Sequence, residues 1–114
     1  MKINIISPTY SVAPQIEATD MTAIAEAGYK SVICNRPDHE NHPDAHMSVM
    51  AQSAADAGLT FAQHPFDSAS FSSAVIDQQR QLLSELPGPI LAYCATGTRC
   101  SIVWAFMQAG HQPV

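Results

Sequence analysis

"PILAYCATGTRCS", Pro89 to Ser101, decides the fold. An apolar run from Ile90 to Tyr93 reads as a buried strand, Gly97 marks a tight turn, and the apolar residues after Arg99 recur as in a helix. A strand that passes through a short glycine-containing turn into a helix aims several backbone N–H groups at one concavity. The helix N-terminus adds partial positive charge to it. The chain delivers a thiol, Cys94, to the rim of that cradle and a permanent forked cation, Arg99, five residues later. A cysteine in such a field ionises more easily than a free one, so Cys94 is expected to be a thiolate nucleophile and Arg99 an oxyanion clamp. Ala95, Thr96, Gly97, Thr98 and Cys100 complete the oxyanion-binding loop, and Gly97 supplies the positive φ that closes it.

Outward from this loop, short apolar runs alternate with helical patterns. Ile3 to Ile6 and Tyr10 to Ala13 read as strands. Thr19 or Asp20 caps a helix through Met21, Ile24, Ala25 and Ala27 that ends at Gly28. Ser31 to Asn35 is a buried strand and Arg36 to Asp44 a polar loop; Pro43 suits the first turn of a helix running through Met47, Met50, Ala51 and Ala54 to Gly58. Leu59 to His64 is the next strand and "PFDSAS" a loop. A helix with Phe71, Ala74, Val75, Gln78, Leu82 and Leu83 on one face follows and reaches Leu86. The last helix, Cys100 to Ala109, is stopped by Gly110. Strands separated by helices of this length predict a parallel α/β sheet covered by helices, with ligands at the carboxyl ends of the strands, where Cys94 lies.

The totals agree with one domain over residues 1–114, the end after 110 reading as a cut from a longer chain. Hydrophobic residues make up 46% of the 114, enough for a packed core. Charged residues are 13%, the net charge is −5 and no basic run tracks a phosphate backbone, so nucleic acid is not an expected partner. No stretch approaches the roughly 20 apolar residues that span a bilayer, and Lys2 leads straight into a strand; no membrane partner and a cytoplasmic location are expected. The three cysteines include no Cys-x2-Cys pair and read as free thiols. His39, His42 and His46 crowd with Asp38, Glu40 and Asp44 in a polar loop, but no metal site is assigned to them and no cofactor is expected. Met21, Met47, Met50, Phe61, Phe71, Trp104, Phe106 and Met107 read as core.

"PGPILAYCATGTRCSIVWA", together with "GYKSVICNRPDHE" and the strand ending at His64, resembles the bacterial tyrosine-phosphatase-like domains found alone or fused to β-lactamase-fold hydrolases, the β-lactamase hydrolase-like phosphatase-like family. The resemblance implies the cysteine-phosphatase α/β fold, a central mostly parallel sheet with helices on both faces. It implies Cys94 as nucleophile, Arg99 as clamp and, as in dual-specificity phosphatases, Asp67 of "HPFDSAS" as general acid. In the implied fold Cys34 ends the strand beside that of Cys94, where it or Cys100 is a candidate redox partner, although a buried structural role is the plainer reading. Arg36 would stiffen the neighbouring loop, paired with Glu40.

The chain departs from the cysteine-phosphatase pattern in spacing, Cys-x4-Arg instead of Cys-x5-Arg, and in carrying Cys100 where a hydroxyl residue usually follows the arginine. Ser101 is the nearest substitute. Six residues is the rhodanese loop length, and the family is also described as a candidate sulfurtransferase. The expected activity is therefore a cysteine-dependent phosphatase-like hydrolase. The alternatives are a sulfurtransferase carrying a persulfide on Cys94 and a module that binds a phosphorylated or anionic ligand without turnover. Expected partners are a small phosphorylated or sulfur-containing anion or a phosphoprotein, and a fused or neighbouring sulfur-metabolism or hydrolase domain.

Overall fold

A computed structural model describes residues 1–110. The tail "HQPV" lies outside the described residues. Five strands, β1 (Asn4–Ser7), β2 (Tyr10–Ala13), β3 (Ser31–Cys34), β4 (Thr60–Gln63) and β5 (Ile90–Tyr93), form one sheet in the order β1-β2-β5-β3-β4. β1 is antiparallel to β2, and the remaining pairs are parallel. The three central strands are buried at every residue, as parallel strands covered on both faces must be.

Side chains alternate across the sheet and create two cores. On one face Val32, Cys34, Leu91 and Tyr93 pack against Met21 and Ile24 of α1 (Met21–Glu26) and Met50 and Ala54 of α2 (Met47–Asp56). On the other, Tyr10, Ile33, Ala92 and Cys94 pack against Leu82 and Leu83 of α3 (Ser73–Glu85) and Cys100 and Trp104 of α4 (Thr98–Gly110). Each fully buried aliphatic side chain contributes about 1.5–3 kcal/mol through the water it leaves. This is a mixed α/β architecture, a mostly parallel sheet with helices on both faces, as the resemblance implies.

Several local boundaries differ from the sequence expectation. Pro43 opens a separate 3-10 turn, Pro43–Ala45, and α2 begins only at Met47, whose N–H is taken by the Asp38 carboxylate at 2.8 Å. Thr19 and Asp20 belong to another 3-10 turn, Ala18–Asp20, rather than acting as a side-chain cap on α1. α3 starts at Ser73 because the Ser72 hydroxyl accepts the Val75 N–H, and its fully buried residue is Gln79 instead of an aliphatic one. α4 starts at Thr98, two residues earlier than Cys100. Phe106, read as core, is 51% exposed, because α4 is apolar on all sides and only one side meets the sheet.

Candidate active site

β5 runs between β2 and β3, with Tyr93 in register with both Ala13 and Cys34, so the loop after Tyr93 emerges between two strand ends. The loop leans on β2. Cys94 N–H donates to the Ala13 carbonyl at 3.3 Å, and Gln15 N–H donates to the Ala95 carbonyl at 3.2 Å. Gly97 adopts φ +90°, and a Cβ there would sit 3.4 Å from the Ala13 carbonyl carbon; glycine answers both the turn and the close approach. Thr96 stiffens the rim, its hydroxyl donating to Thr98 Oγ1 at 2.9 Å and accepting the Thr98 N–H at 3.3 Å.

Cys94 is fully buried inside this turn, and its sulfur accepts the Gly97 N–H at 3.1 Å. Cys100, from the first turn of α4, is buried in the same core cluster. Its side chain is the largest influence on the Cys94 acidity. With the backbone N–H groups of Cys100, Thr96 and Gly97 it outweighs burial and lowers the Cys94 pKa to about 5. Burial, followed by the neighbouring Cys94, pushes the Cys100 thiol well above its ordinary value. The two thiols of this core are thus driven apart in acidity. Ser101 turns away from the sulfur, giving both its N–H and its hydroxyl to the Gly97 carbonyl at 3.1 Å.

Arg99 is anchored by a bidentate pair to Glu40, Nη2 to Oε1 at 2.6 Å and Nη1 to Oε2 at 3.1 Å, with Nη1 also donating to the Phe66 carbonyl at 3.0 Å. The Arg99 hydrogen bond is the main reason that the Glu40 carboxyl lies below its ordinary pKa. Arg36 braces the same loop, donating to the Glu40 carbonyl at 2.8 Å and to Gln15 Oε1 at 3.2 Å, with Nε 3.4 Å from the Glu40 carboxylate. Glu40 therefore joins both arginines. Gln15 and Gln79, neither singled out in the sequence, lock the surroundings. Gln15 ties Arg36 and Asn41 to the end of β2, and Gln79 exchanges two hydrogen bonds with Asn35 at 3.0 and 3.1 Å and also meets His64. Their amides carry no chemical signature that would have marked them.

Glu40, Phe66, Asp67, Phe71, Arg99 and Ile102 line an open cavity of about 360 Å³. Asp67 is on its rim, with Oδ1 accepting the Ser70 N–H at 2.9 Å. This bond, then that from the Ser70 side chain, keeps the Asp67 carboxyl below its ordinary pKa. Asp67 thus caps a turn at Ser70, while Ser72 caps the helix. A second cavity of about 490 Å³ opens on the other side of Ile102 and is bordered by Thr96, Gly97 and Thr98. Cys34 is placed on the opposite face of the sheet, its Sγ donating to the Arg36 carbonyl at 3.3 Å. Among the described residues no group of three or more His, Cys, Asp or Glu side chains could hold a metal ion, and no helix is long and apolar enough to cross a membrane.

The sequence model of the family described as "Beta-lactamase hydrolase-like protein, phosphatase-like domain" matches residues 2–111. The β-lactamase hydrolase-like protein of Agrobacterium fabrum is 28% identical over 96% of this chain, which spans 25% of that protein's length. The crystal structure of a candidate phosphatase of Neisseria meningitidis Z2491 superimposes with a TM-score of 0.88 at 35% identity, covering 99% of this chain and 81% of that one. Pseudomonas aeruginosa TpbA in complex with pTyr is similar in fold alone, with a TM-score of 0.65 at 17% identity over 93% of this chain and 61% of that one.

Proposed function

The chain belongs to the family of β-lactamase hydrolase-like protein phosphatase-like domains, and from that premise we propose that it hydrolyses phosphate esters with Cys94 as nucleophile. One observation carries the reading. The sulfur with the lowered pKa lies in the turn that leads into α4 and accepts the Gly97 N–H, while the Arg99 fork of the first turn of α4 is fixed by Glu40 and the Phe66 carbonyl. The Cys94 thiolate attacks phosphorus in line, the S–P bond forms as the P–O bond to the leaving group breaks, and water then cleaves the S–P bond to regenerate the thiolate. Arg99 and the loop N–H groups hold the equatorial oxygens and stabilise the charge that builds up in the transition state. Asp67 protonates the leaving oxygen in the first step. It must release Ser70 and take up a proton to do so, because the resting carboxyl is held in its ionised form. The pTyr bound to TpbA and the phenylalanine wall of the cavity favour an aryl phosphate as the substrate class.

Turnover of an aryl phosphate between pH 5 and 7 is expected for the wild type and not for Cys94→Ser; equal inertness of both proteins would remove this reading. Asp67→Asn is expected to slow an alkyl phosphate, a poor leaving group, by roughly 10²-fold or more and a nitrophenyl phosphate far less.

A sulfurtransferase reading has an observation of its own. The six-residue loop closes directly on the Cys94 sulfur, and the Asp67 carboxyl is engaged elsewhere, as suits a reaction that needs no general acid. It predicts a Cys94 persulfide after thiosulfate treatment, discharged by cyanide and unaffected by Asp67→Asn. A binding module predicts affinity for an inorganic oxyanion without either turnover. The companion expected for this domain, a sulfur-metabolism or hydrolase domain, belongs to the same proposal, since the curated relatives are about four times as long as the matched region.

A further inference from the structure

The cavity behind Ile102 has no part in the reaction proposed above, although the loop after Cys94 forms one of its walls. On the reading of that loop as the phosphoryl site, we infer that the cavity is a second subsite. It takes a carboxylate carried by the same ester, and Lys2 is the cation that recognises it. The trough follows from the edge of the sheet. β1 is the edge strand, and its Asn4 lies opposite Val12, whose side chain belongs to the core beneath α3 and α4. Lys2, two residues earlier, shares that side with Asn4. Between β1 and α4 a gap of about 490 Å³ remains, with Val12, Pro14, Ile102 and Ala105 as its apolar floor and wall and with Thr96 and Thr98 at the catalytic end.

Charge distinguishes the two cavities that flank Ile102. The one with Phe66 and Phe71 carries two carboxylates, Glu40 and Asp67, and disfavours a further anion. Among the described residues no acidic side chain lines the trough, and Lys2 gives it a cation. The three arginines are all engaged, Arg36 and Arg99 with Glu40 and Arg80 with Asp77, whereas Lys2 has no carboxylate partner among the described residues. A hydroxyl donor stands at the other end. Thr96 Oγ1 donates to Thr98 Oγ1 and accepts the Thr98 N–H, which leaves the Thr98 hydroxyl proton for a ligand. An ammonium, a hydroxyl and the Asn4 amide above an apolar floor suit a singly charged carboxylate on an alkyl stem. A second phosphate dianion is better matched by an arginine fork, and among the described residues no arginine lines the trough. Ile102, 44% exposed, is the ridge between the cavities, and an arm attached to a ring beside Phe71 crosses it to reach Lys2.

The probes are phenyl phosphates with a carboxyethyl or carboxybutyl arm meta to the ester, each paired with its primary amide. The saturated arm insulates the ester, so acid and amide have the same leaving group and differ only in the charge at the end of the arm. Near neutral pH the full chain is expected to hydrolyse the better acid with a kcat/KM roughly fivefold above that of its amide, the difference lying in KM, as for one partly exposed ion pair. The net charge of −5 works against the acid, so the preference has to come from a local cation. Lys2→Met is expected to bring the ratio to unity or below. Lys30→Met removes a cation at the amino end of β3, away from the site, and is expected to keep the ratio. Equal rates for acid and amide at both arm lengths, or a preference that survives Lys2→Met, would overturn the subsite and leave the phosphatase reading standing. Hydrolysis of neither ester defeats that reading instead, and the subsite is then judged by titrating both compounds against the Asn4 and Thr98 amide resonances. Tighter binding of the acid in the wild type and not in Lys2→Met upholds the subsite, and equal affinities overturn it.

Discussion

Cys100 follows Arg99 where the cysteine-phosphatase pattern carries a hydroxyl residue, and a thiol is the weaker donor. Replacing it by alanine removes the first cause of the lowered Cys94 pKa. The pH midpoint for Cys94 alkylation is therefore expected to rise from about 5 toward the ordinary thiol value. Arg99 depends in the same way on Glu40, 59 residues away in the chain. Glu40→Gln breaks a charge-assisted bidentate anchor and lets the guanidinium drift; a misplacement of about 1 Å justifies an expected fall in kcat/KM of roughly 10²-fold, measured on an aryl phosphate. Cys94, Gly97 and Arg99 were legible in the sequence because they are contiguous and their types carry chemistry. The Arg99–Glu40 pair was not. Spacing suggested only the local partner, Arg36, and nothing in a sequence states that a loop after β3 folds over the start of α4.

At the scale of the elements, α3 is held by a reciprocal amide pair rather than by aliphatic packing alone. Gln79 and Asn35 are both fully buried and satisfy each other, and Asn35 also donates to the His64 carbonyl at 2.8 Å. They join the end of β3, the end of β4 and the middle of α3. Gln79→Leu leaves the Asn35 side-chain oxygen without a partner, and a loss of about 1–3 kcal/mol in urea unfolding is expected. The helical pattern in the sequence finds α3 through Leu82 and Leu83, but it puts Gln78 on the apolar face where the structure buries Gln79. An amide reads as solvent-facing unless its partner, 44 residues upstream, is known to be buried too. The strands were easier to find. Runs such as "SVIC" and "ILAY" are buried on both sides of a parallel sheet and therefore lack any polar interruption.

For the whole molecule, the lowered Cys94 pKa couples folding to pH. The native thiol releases its proton above about pH 5, while the unfolded chain keeps it up to the ordinary thiol value of about 9.0. Over that interval the unfolded state binds more protons, so raising the pH favours the folded state, and this contribution is lost as pH falls through 5. The melting temperature of the wild type is expected to gain on that of Cys94→Ser between pH 5 and 8; parallel curves would contradict an ionised native thiol. The alternation of strands and helices foretold a parallel sheet. The order β1-β2-β5-β3-β4, and the separation of Cys34 from Cys94 by the thickness of the sheet, come from the crossovers, which local patterns do not encode.

The seat of the Cys94 loop on the end of β2 makes the hairpin of β1 and β2 a listening post. The Cys94 and Gln15 amides are both tied across this seam, to the Ala13 and Ala95 carbonyls. Any event that swells or tightens the turn, whether a bound oxyanion or a new bond on the sulfur, must strain these two ties first. Hydrogen–deuterium exchange at Cys94 and Gln15 should therefore register occupancy of the site, whatever the oxyanion.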